Sequence, residues 1–113
     1  MNKQELYILW TNGDPVTFKK MVSMYAYNSI EHNWWDEITL IIWGSPAELV
    51  AKDKAVQMEI DALLKKGIHI TACKSCADQL GVTKKLQDMG IEVKYWGEPL
   101  TDVIQSNKKL ITI

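Results

Sequence analysis

Residues 68–81, which read IHITACKSCADQLG, decide how the rest of the chain is interpreted. The run from Ile68 to Ala72 is short and apolar, which is typical of a strand buried in a sheet. A helix is predicted to begin directly after Cys73 and to end at Gly81. Cys76 then falls in the first turn of that helix. Because these are both cysteines of the chain, we expect any chemistry on a small molecule at this strand-to-helix turn.

Length and charge limit the classes of protein to be considered. The 113 residues are enough for one hydrophobic core, so we predict a single domain over residues 1–113. The chain has 13 Lys and Arg against 14 Asp and Glu, with no long basic run. This balance gives no electrostatic basis for binding nucleic acid or an anionic membrane, and neither is expected as a partner.

The N-terminal sequence predicts the compartment. Met1 to Glu5 is polar and lacks the apolar region of a signal peptide, and no apolar run approaches the roughly 20 residues of a membrane helix. We therefore expect a cytoplasmic protein, whose thiols are kept reduced. In that setting, two cysteines three residues apart are catalytic, redox-active, metal-binding or simply buried, rather than a structural disulfide.

Strands and helices alternate along the chain. Strands are predicted at residues 6–10, 38–43, 68–72, 91–96 and 110–113. Alternation of this kind predicts an α/β fold with a parallel sheet and right-handed crossovers. The first two strands are the most apolar and should be central, whereas the alternating fourth and the short fifth should be outer. We expect the first strand to be buried on both faces.

Helix boundaries are marked by local signals. Asp14 and Pro15 predict the start of one long helix that runs to about Asn33. The segment from Ser45 to Glu48 matches a capping box, and the helical sequence after it runs to Lys66 with a break near residues 52–54. Gly67 is expected to end it in the left-handed conformation.

Three strands end in tryptophan and the remaining long one ends in Cys73. The carboxyl ends of parallel strands share one edge of the sheet, where ligands of open α/β proteins bind. We therefore predict a ligand cleft formed by Trp10, Asn12, Trp43, Gly44, Lys74, Ser75, Trp96 and Gly97. The shared W-G-x-P pattern at Trp43 and Trp96 is also ordinary sequence for the end of a strand and the start of a helix.

Cys73 and Cys76 are the predicted catalytic residues. Amides at positions 75 to 77 are expected to point toward Cys73 and to favour its thiolate, which is the reactive form of cysteine. Cys73 would then be a nucleophile or carry a persulfide, with Cys76 as a resolving or second thiol. The alternative is that both are small buried residues of the core.

Other chemistries fit the sequence less well. A single C-x-x-C supplies two ligands, whereas a structural zinc site needs four, so no metal is predicted. No phosphate-binding glycine loop is present and no cofactor is expected. A thioredoxin-type oxidoreductase also places C-x-x-C at a helix start. Here, however, the motif follows the third strand, and all three prolines lie at predicted helix starts.

The chain resembles the DsrE family of small sulfur-relay proteins, within the DsrE/DsrF/DsrH group. The resemblance is carried by Gly67-Ile68-x-Ile70-x-Ala72-Cys73 and by Gly81-Val82, eight residues further on. It implies three α/β/α layers around a five-stranded parallel sheet of order 4-3-2-1-5. Cys73 matches the cysteine that carries the persulfide in sulfur-accepting members, whereas Cys76 has no assigned counterpart.

The resemblance also implies homo-oligomers, commonly trimers or hexamers, with Trp34 and Trp35 as candidates for the contact. The leading hypothesis is a cytosolic sulfur carrier or sulfurtransferase-like protein that accepts sulfane sulfur on Cys73 from a donor protein and passes it to an acceptor. Two alternatives stay open. One is a non-catalytic oligomeric module that binds a small ligand, and the other is a dithiol redox switch between Cys73 and Cys76.

Overall fold

The computed structural model describes residues 3–113 and contains a five-stranded parallel sheet of order β4-β3-β2-β1-β5. The strands are β1 (Glu5–Trp10), β2 (Glu37–Ile42), β3 (His69–Cys73), β4 (Glu92–Lys94) and β5 (Lys109–Thr112). The predicted fold class and strand order are confirmed. The apolar β1 and β2 lie inside the sheet, and β4 and β5 form its edges, as their patterns indicate.

Helices connect every pair of consecutive strands. They are α1 (Pro15–Thr17), a π-helical segment (Phe18–Ser23), α2 (Met24–Glu31), α3 (Pro46–Lys52), α4 (Lys54–Lys65), α5 (Lys74–Leu80), α6 (Thr83–Asp88) and α7 (Gly97–Gln105). The first three crossovers step across the sheet in one direction, so right-handed connections place α1 to α6 on one face. The last crossover returns from one edge to the other and places α7 on the opposite face.

Among residues 3–113, no helix has both the length and the apolarity that a membrane span requires.

The main core lies between the sheet and α1 to α6. Alternate residues of β1, Leu6, Ile8 and Trp10, are buried in it, together with residues from β2, β3 and the helices. The intervening residues of β1, among them Tyr7 and Leu9, are only half-buried. The expectation that β1 is buried on both faces is therefore wrong for this chain, because α7 alone covers little of the second face.

A second, smaller core lies on the α7 side of the sheet. Ile41, Cys73, Trp96 and Val103 are buried but stand apart from the main core. Thr71 is fully buried, and its Oγ1 accepts a hydrogen bond of 2.7 Å from the indole Nε1 of Trp96. This hydrogen bond fixes the segment that leads into α7 to β3, two residues before Cys73.

The helix starts and breaks agree in part with the sequence signals. Asp14 and Asp53 cap α1 and α4 by accepting hydrogen bonds from the backbone N–H groups of Thr17 and Val56. The break between α3 and α4 is where it was predicted, and Gly67 has the expected positive φ of 92°.

One helix prediction was wrong. The capping box at Ser45 is absent, since its side chain makes no capping hydrogen bond. The long first helix is present from Pro15 to Glu31, close to its predicted end, and contains the π-helical segment Phe18–Ser23. The sequence does not distinguish the two helix types here. Phe18, Val22 and Ala26 are spaced four residues apart and form one buried stripe, and this spacing is compatible with an α-helix or a π-helix.

Candidate functional site

Cys73 ends β3 and is the N-cap residue of α5. Its side chain is 5% exposed, and it makes no hydrogen bond to the amides of the first helical turn. The prediction that amides 75 to 77 hold its thiolate is therefore wrong. Side chains alternate along a strand, so Cys73 shares the face of Thr71 and lies in the α7-side core rather than over the helix start.

Cys76 lies in the first turn of α5 and is more accessible than Cys73. Its partial burial raises the pKa of its thiol above the ordinary cysteine value, and the neighbouring Cys73 thiol adds to the rise. The backbone at Gly44 acts in the opposite direction. Both thiols are free, and the turn therefore contains two cysteines, three residues apart, that differ in accessibility.

A cavity of about 730 Å³ opens beside Cys76. It lies between α3 and α5 and is also lined by Gly13 and Gly44, from the turns that follow β1 and β2. Its lining includes Gly44, Ser45, Leu49, Cys76, Gln79 and Leu80. A volume of this size lies within the range of roughly 300–1,000 Å³ found for small-molecule sites. Cys73 is not one of the residues that line it.

The rim of the cavity carries charge of both signs. Lys52 Nζ lies 3.4 Å from Glu48 Oε1, one helical turn away on α3. Asp53 adds a second carboxylate, of which Oδ1 accepts the 3.1 Å hydrogen bond that caps α4. The lining contains two carboxylates and one ammonium, so its net charge is one negative unit.

Two of the predicted site residues, Gly44 and Cys76, line this cavity. The three tryptophans that end or follow strands are placed elsewhere. Trp10 is fully buried in the main core, where its ring stacks on Phe18 at 4.6 Å. Trp96 belongs to the α7-side core, and Trp43 is half-buried after β2. Trp10 and Trp96 are therefore buried core residues at the sheet edge and do not line the cavity.

The remaining predicted cleft residues lie at the surface of the same edge. Asn12 is exposed, and its carbonyl accepts a 2.7 Å hydrogen bond from the indole of Trp10. Lys74 is paired with Asp78 at 2.7 Å and lies over the ring of Tyr95, so its charge already has a partner at the surface. Ser75 and Gly97 are exposed.

The α3 residues that line the cavity were not among the predicted site residues. Glu48, Leu49 and Lys52 look like ordinary positions of an amphipathic helix, and Gln79 and Leu80 like the end of another. The available signal is topological, because α3 and α5 follow adjacent strands and lie on the same face of the sheet. Two short helices in that position leave a groove between them.

Within residues 3–113, no three His, Cys, Asp or Glu side chains converge as the ligands of a metal ion would.

Comparison with solved structures places this arrangement in a known class of fold. The chain is similar to the ychN protein from E. coli, a protein of DsrE-like fold, with a TM-score of 0.74 and 14% identity over 99% of this chain and 100% of that one. The five-stranded sheet between helices is therefore a DsrE-like α/β fold.

A much nearer relative is the conserved protein of unknown function BT1422 from Bacteroides thetaiotaomicron. It is 41% identical, with a TM-score of 0.95, over 97% of this chain and 95% of that one. The chain belongs to the same family as BT1422. No protein-family model matches the chain, and no curated protein matches it either.

Proposed function

We propose that this protein is a sulfur carrier of the sulfur-relay type. It would hold a sulfane sulfur atom as a persulfide on Cys73, with Cys76 as the second thiol of the pair. The observation that carries the proposal is the pair of free thiols, three residues apart, at a strand-to-helix turn of a DsrE-like fold. The sheltered position of Cys73 suits a carrier, because it slows loss of the sulfur to water-borne nucleophiles and oxidants.

The partners follow from the same proposal. A carrier needs a donor and an acceptor of sulfane sulfur, and free thiols need a reducing compartment such as the cytoplasm. Half-buried Tyr7 and Leu9 on the sparsely covered face, with Trp34 exposed to 55%, support a homo-oligomer, and the resemblance to the DsrE family implies a trimer or hexamer. Light scattering coupled to gel filtration measures this directly, and a monomer at all concentrations would remove this part of the proposal.

The test of carriage is the mass of the protein after exposure to a sulfane donor. The reduced protein is incubated with cysteine persulfide, the excess is removed, and the sample is analysed by peptide mass spectrometry with a thiol-blocking reagent. A gain of one sulfur atom on the peptide that contains Cys73 is expected. Cys73→Ser should abolish the adduct on this peptide and leave sulfur only on Cys76, whereas Ser106→Ala, at an exposed position outside the cavity, should leave the wild-type pattern unchanged. Wild-type protein that gains no sulfur contradicts the proposal.

A second candidate function is the binding of a small molecule without thiol chemistry, which the cavity favours on its own. This candidate predicts a ligand that binds the Cys73→Ser and Cys76→Ser variants as tightly as the wild type. Isothermal titration of the three proteins distinguishes the two functions.

A further inference from the structure

We propose that Cys76 is the thiol that reacts with the sulfur donor, that the cavity between α3 and α5 binds this donor as a low-molecular-weight organic persulfide, and that Cys73 receives its sulfur from Cys76. This inference rests on the proposed sulfur carriage and assigns the two cysteines different places in it.

The first argument is accessibility. Cys76 lines a cavity large enough for a small molecule, whereas Cys73 is 5% exposed and does not line it. A donor must bring its outer sulfur into line with the attacking thiol, to within about 3–3.5 Å. That approach is open at Cys76, which lines the cavity, and is closed at Cys73, which is buried.

The second argument is the spacing of the thiols. Cys73 is the N-cap residue of α5, and Cys76 lies three residues further on, in the first turn of that helix. Residues three apart in a helix are neighbours on its surface, so sulfur that arrives on Cys76 has a buried acceptor beside it. The effect of Cys73 on the pKa of Cys76 agrees with this proximity.

The chemistry balances as two exchanges without an external oxidant. In the first, the sulfur of Cys76 attacks the outer sulfur of a donor R–S–SH. The donor S–S bond breaks, Cys76–S–SH forms, and the thiol proton of Cys76 goes to the departing R–S⁻ to give R–SH. In the second, the sulfur of Cys73 attacks the outer sulfur of the Cys76 persulfide. Cys73–S–SH forms, and the proton of Cys73 returns to Cys76.

The cavity lining indicates the class of donor. Glu48 and Asp53 outnumber Lys52, and Lys52 is already paired with Glu48. A dianion such as thiosulfate is therefore disfavoured relative to a persulfide that carries an amine or no net charge. The remaining lining, from Leu49, Leu80 and Gln79, suits the short carbon chain of an organic thiol. A small molecule fits this volume better than the surface of a donor protein, which would have to enter a groove between two short helices.

Rapid mixing with cysteine persulfide, followed by acid quench and peptide mass spectrometry, measures the rate at which sulfur reaches each cysteine. In the wild type, the Cys76 adduct should rise and then fall as the Cys73 adduct grows. Cys76→Ser should slow loading of Cys73 by about tenfold or more, since the direct route is closed. Cys73→Ser should still load Cys76 at the wild-type initial rate.

The cavity is tested by Gln79→Trp, which places an indole in it from an exposed helix position, with Gln87→Trp on α6 as the matched control outside it. Gln79→Trp should slow loading of Cys76 severalfold, and Gln87→Trp should leave it unchanged. Circular dichroism verifies that both variants are folded. Thiosulfate should load the wild type about tenfold more slowly than cysteine persulfide at equal concentration.

The outcomes separate the two claims. Loading of Cys73 in Cys76→Ser at the wild-type rate overturns this inference and leaves sulfur carriage intact. Equal rates for Gln79→Trp and wild type, or loading by a persulfidated donor protein but not by cysteine persulfide, overturn the assignment of the cavity. A wild-type protein that loads neither cysteine from any donor refutes the proposed function itself.

Discussion

Replacement of Trp96 by Phe tests whether the α7-side core fixes the edge of the sheet where Cys73 lies. The indole Nε1 of Trp96 donates a 2.7 Å hydrogen bond to Thr71 Oγ1, and the two residues are 4% and 0% exposed. Phe keeps an aromatic ring but leaves the threonine hydroxyl buried without this donor. An unsatisfied buried polar group costs about 1–3 kcal/mol, and the smaller ring adds a cavity. We therefore expect the free energy of unfolding to fall by about 2–4 kcal/mol.

The measurement is urea denaturation followed by circular dichroism, with Trp34→Phe as the matched control. Trp34 is 55% exposed, so this control should change the unfolding free energy by less than about 0.5 kcal/mol. Thr71→Val completes a double-mutant cycle. Each single variant strands one polar partner, whereas the double variant strands neither, so its cost should be smaller than the sum by about 1 kcal/mol or more.

Two results would refute this reasoning. One is a Trp96→Phe variant that is no less stable than Trp34→Phe. The other is a cycle in which the costs of the Trp96 and Thr71 changes add to within about 0.5 kcal/mol, as they do for independent sites.

Three further predictions concern backbone conformation, helix capping and thiol titration. Gly81→Ala should lower the unfolding free energy by about 1–2 kcal/mol, since φ is +72° there with no crowding, whereas Gly97→Ala in equally open space should have little effect in the same urea titration. Asp53→Ala should cost about 1 kcal/mol through loss of the α4 cap, and Asp53→Asn should retain most of that stability; an equal loss in both would contradict the cap. Alkylation of Cys76 by iodoacetamide should show its pH inflection above that of an unfolded cysteine peptide, because burial raises its pKa, and an inflection below the peptide value would contradict this. Above about pH 8.5 the unfolded chain releases this proton before the folded protein does, so Cys76 lowers the stability as the pH rises.

Much of the fold could be predicted because its signals are local. The apolar runs of β1 and β2, the alternating fourth strand and the turn residues after each strand give the α/β order. The resemblance carried by the segment around Cys73 then gives the strand order that the structure shows. What these signals do not contain is how much of each sheet face α7 covers, and for this reason the half-open side of β1 was missed.

The candidate site was harder to predict because it depends on contacts between distant residues. Cys73 is buried on the same face of β3 as Thr71, whose hydroxyl accepts a hydrogen bond from Trp96, 25 residues further along the chain. The cavity exists because α3 breaks from α4 at Asp53 and lies beside α5. Neither relation is visible in hydrophobic periodicity. The cysteine pair was found, whereas the difference in accessibility between its two thiols required the three-dimensional structure.

The most direct measurement of sulfur carriage is the sulfane sulfur that the loaded protein can give up. Protein treated with cysteine persulfide and freed of excess donor is reacted with cyanide, which removes only the outer sulfur as thiocyanate. The account predicts stoichiometric thiocyanate from the wild type and none above background from the protein with both Cys73→Ser and Cys76→Ser. Thiocyanate at background from the wild type, or at equal amounts from both proteins, would contradict it.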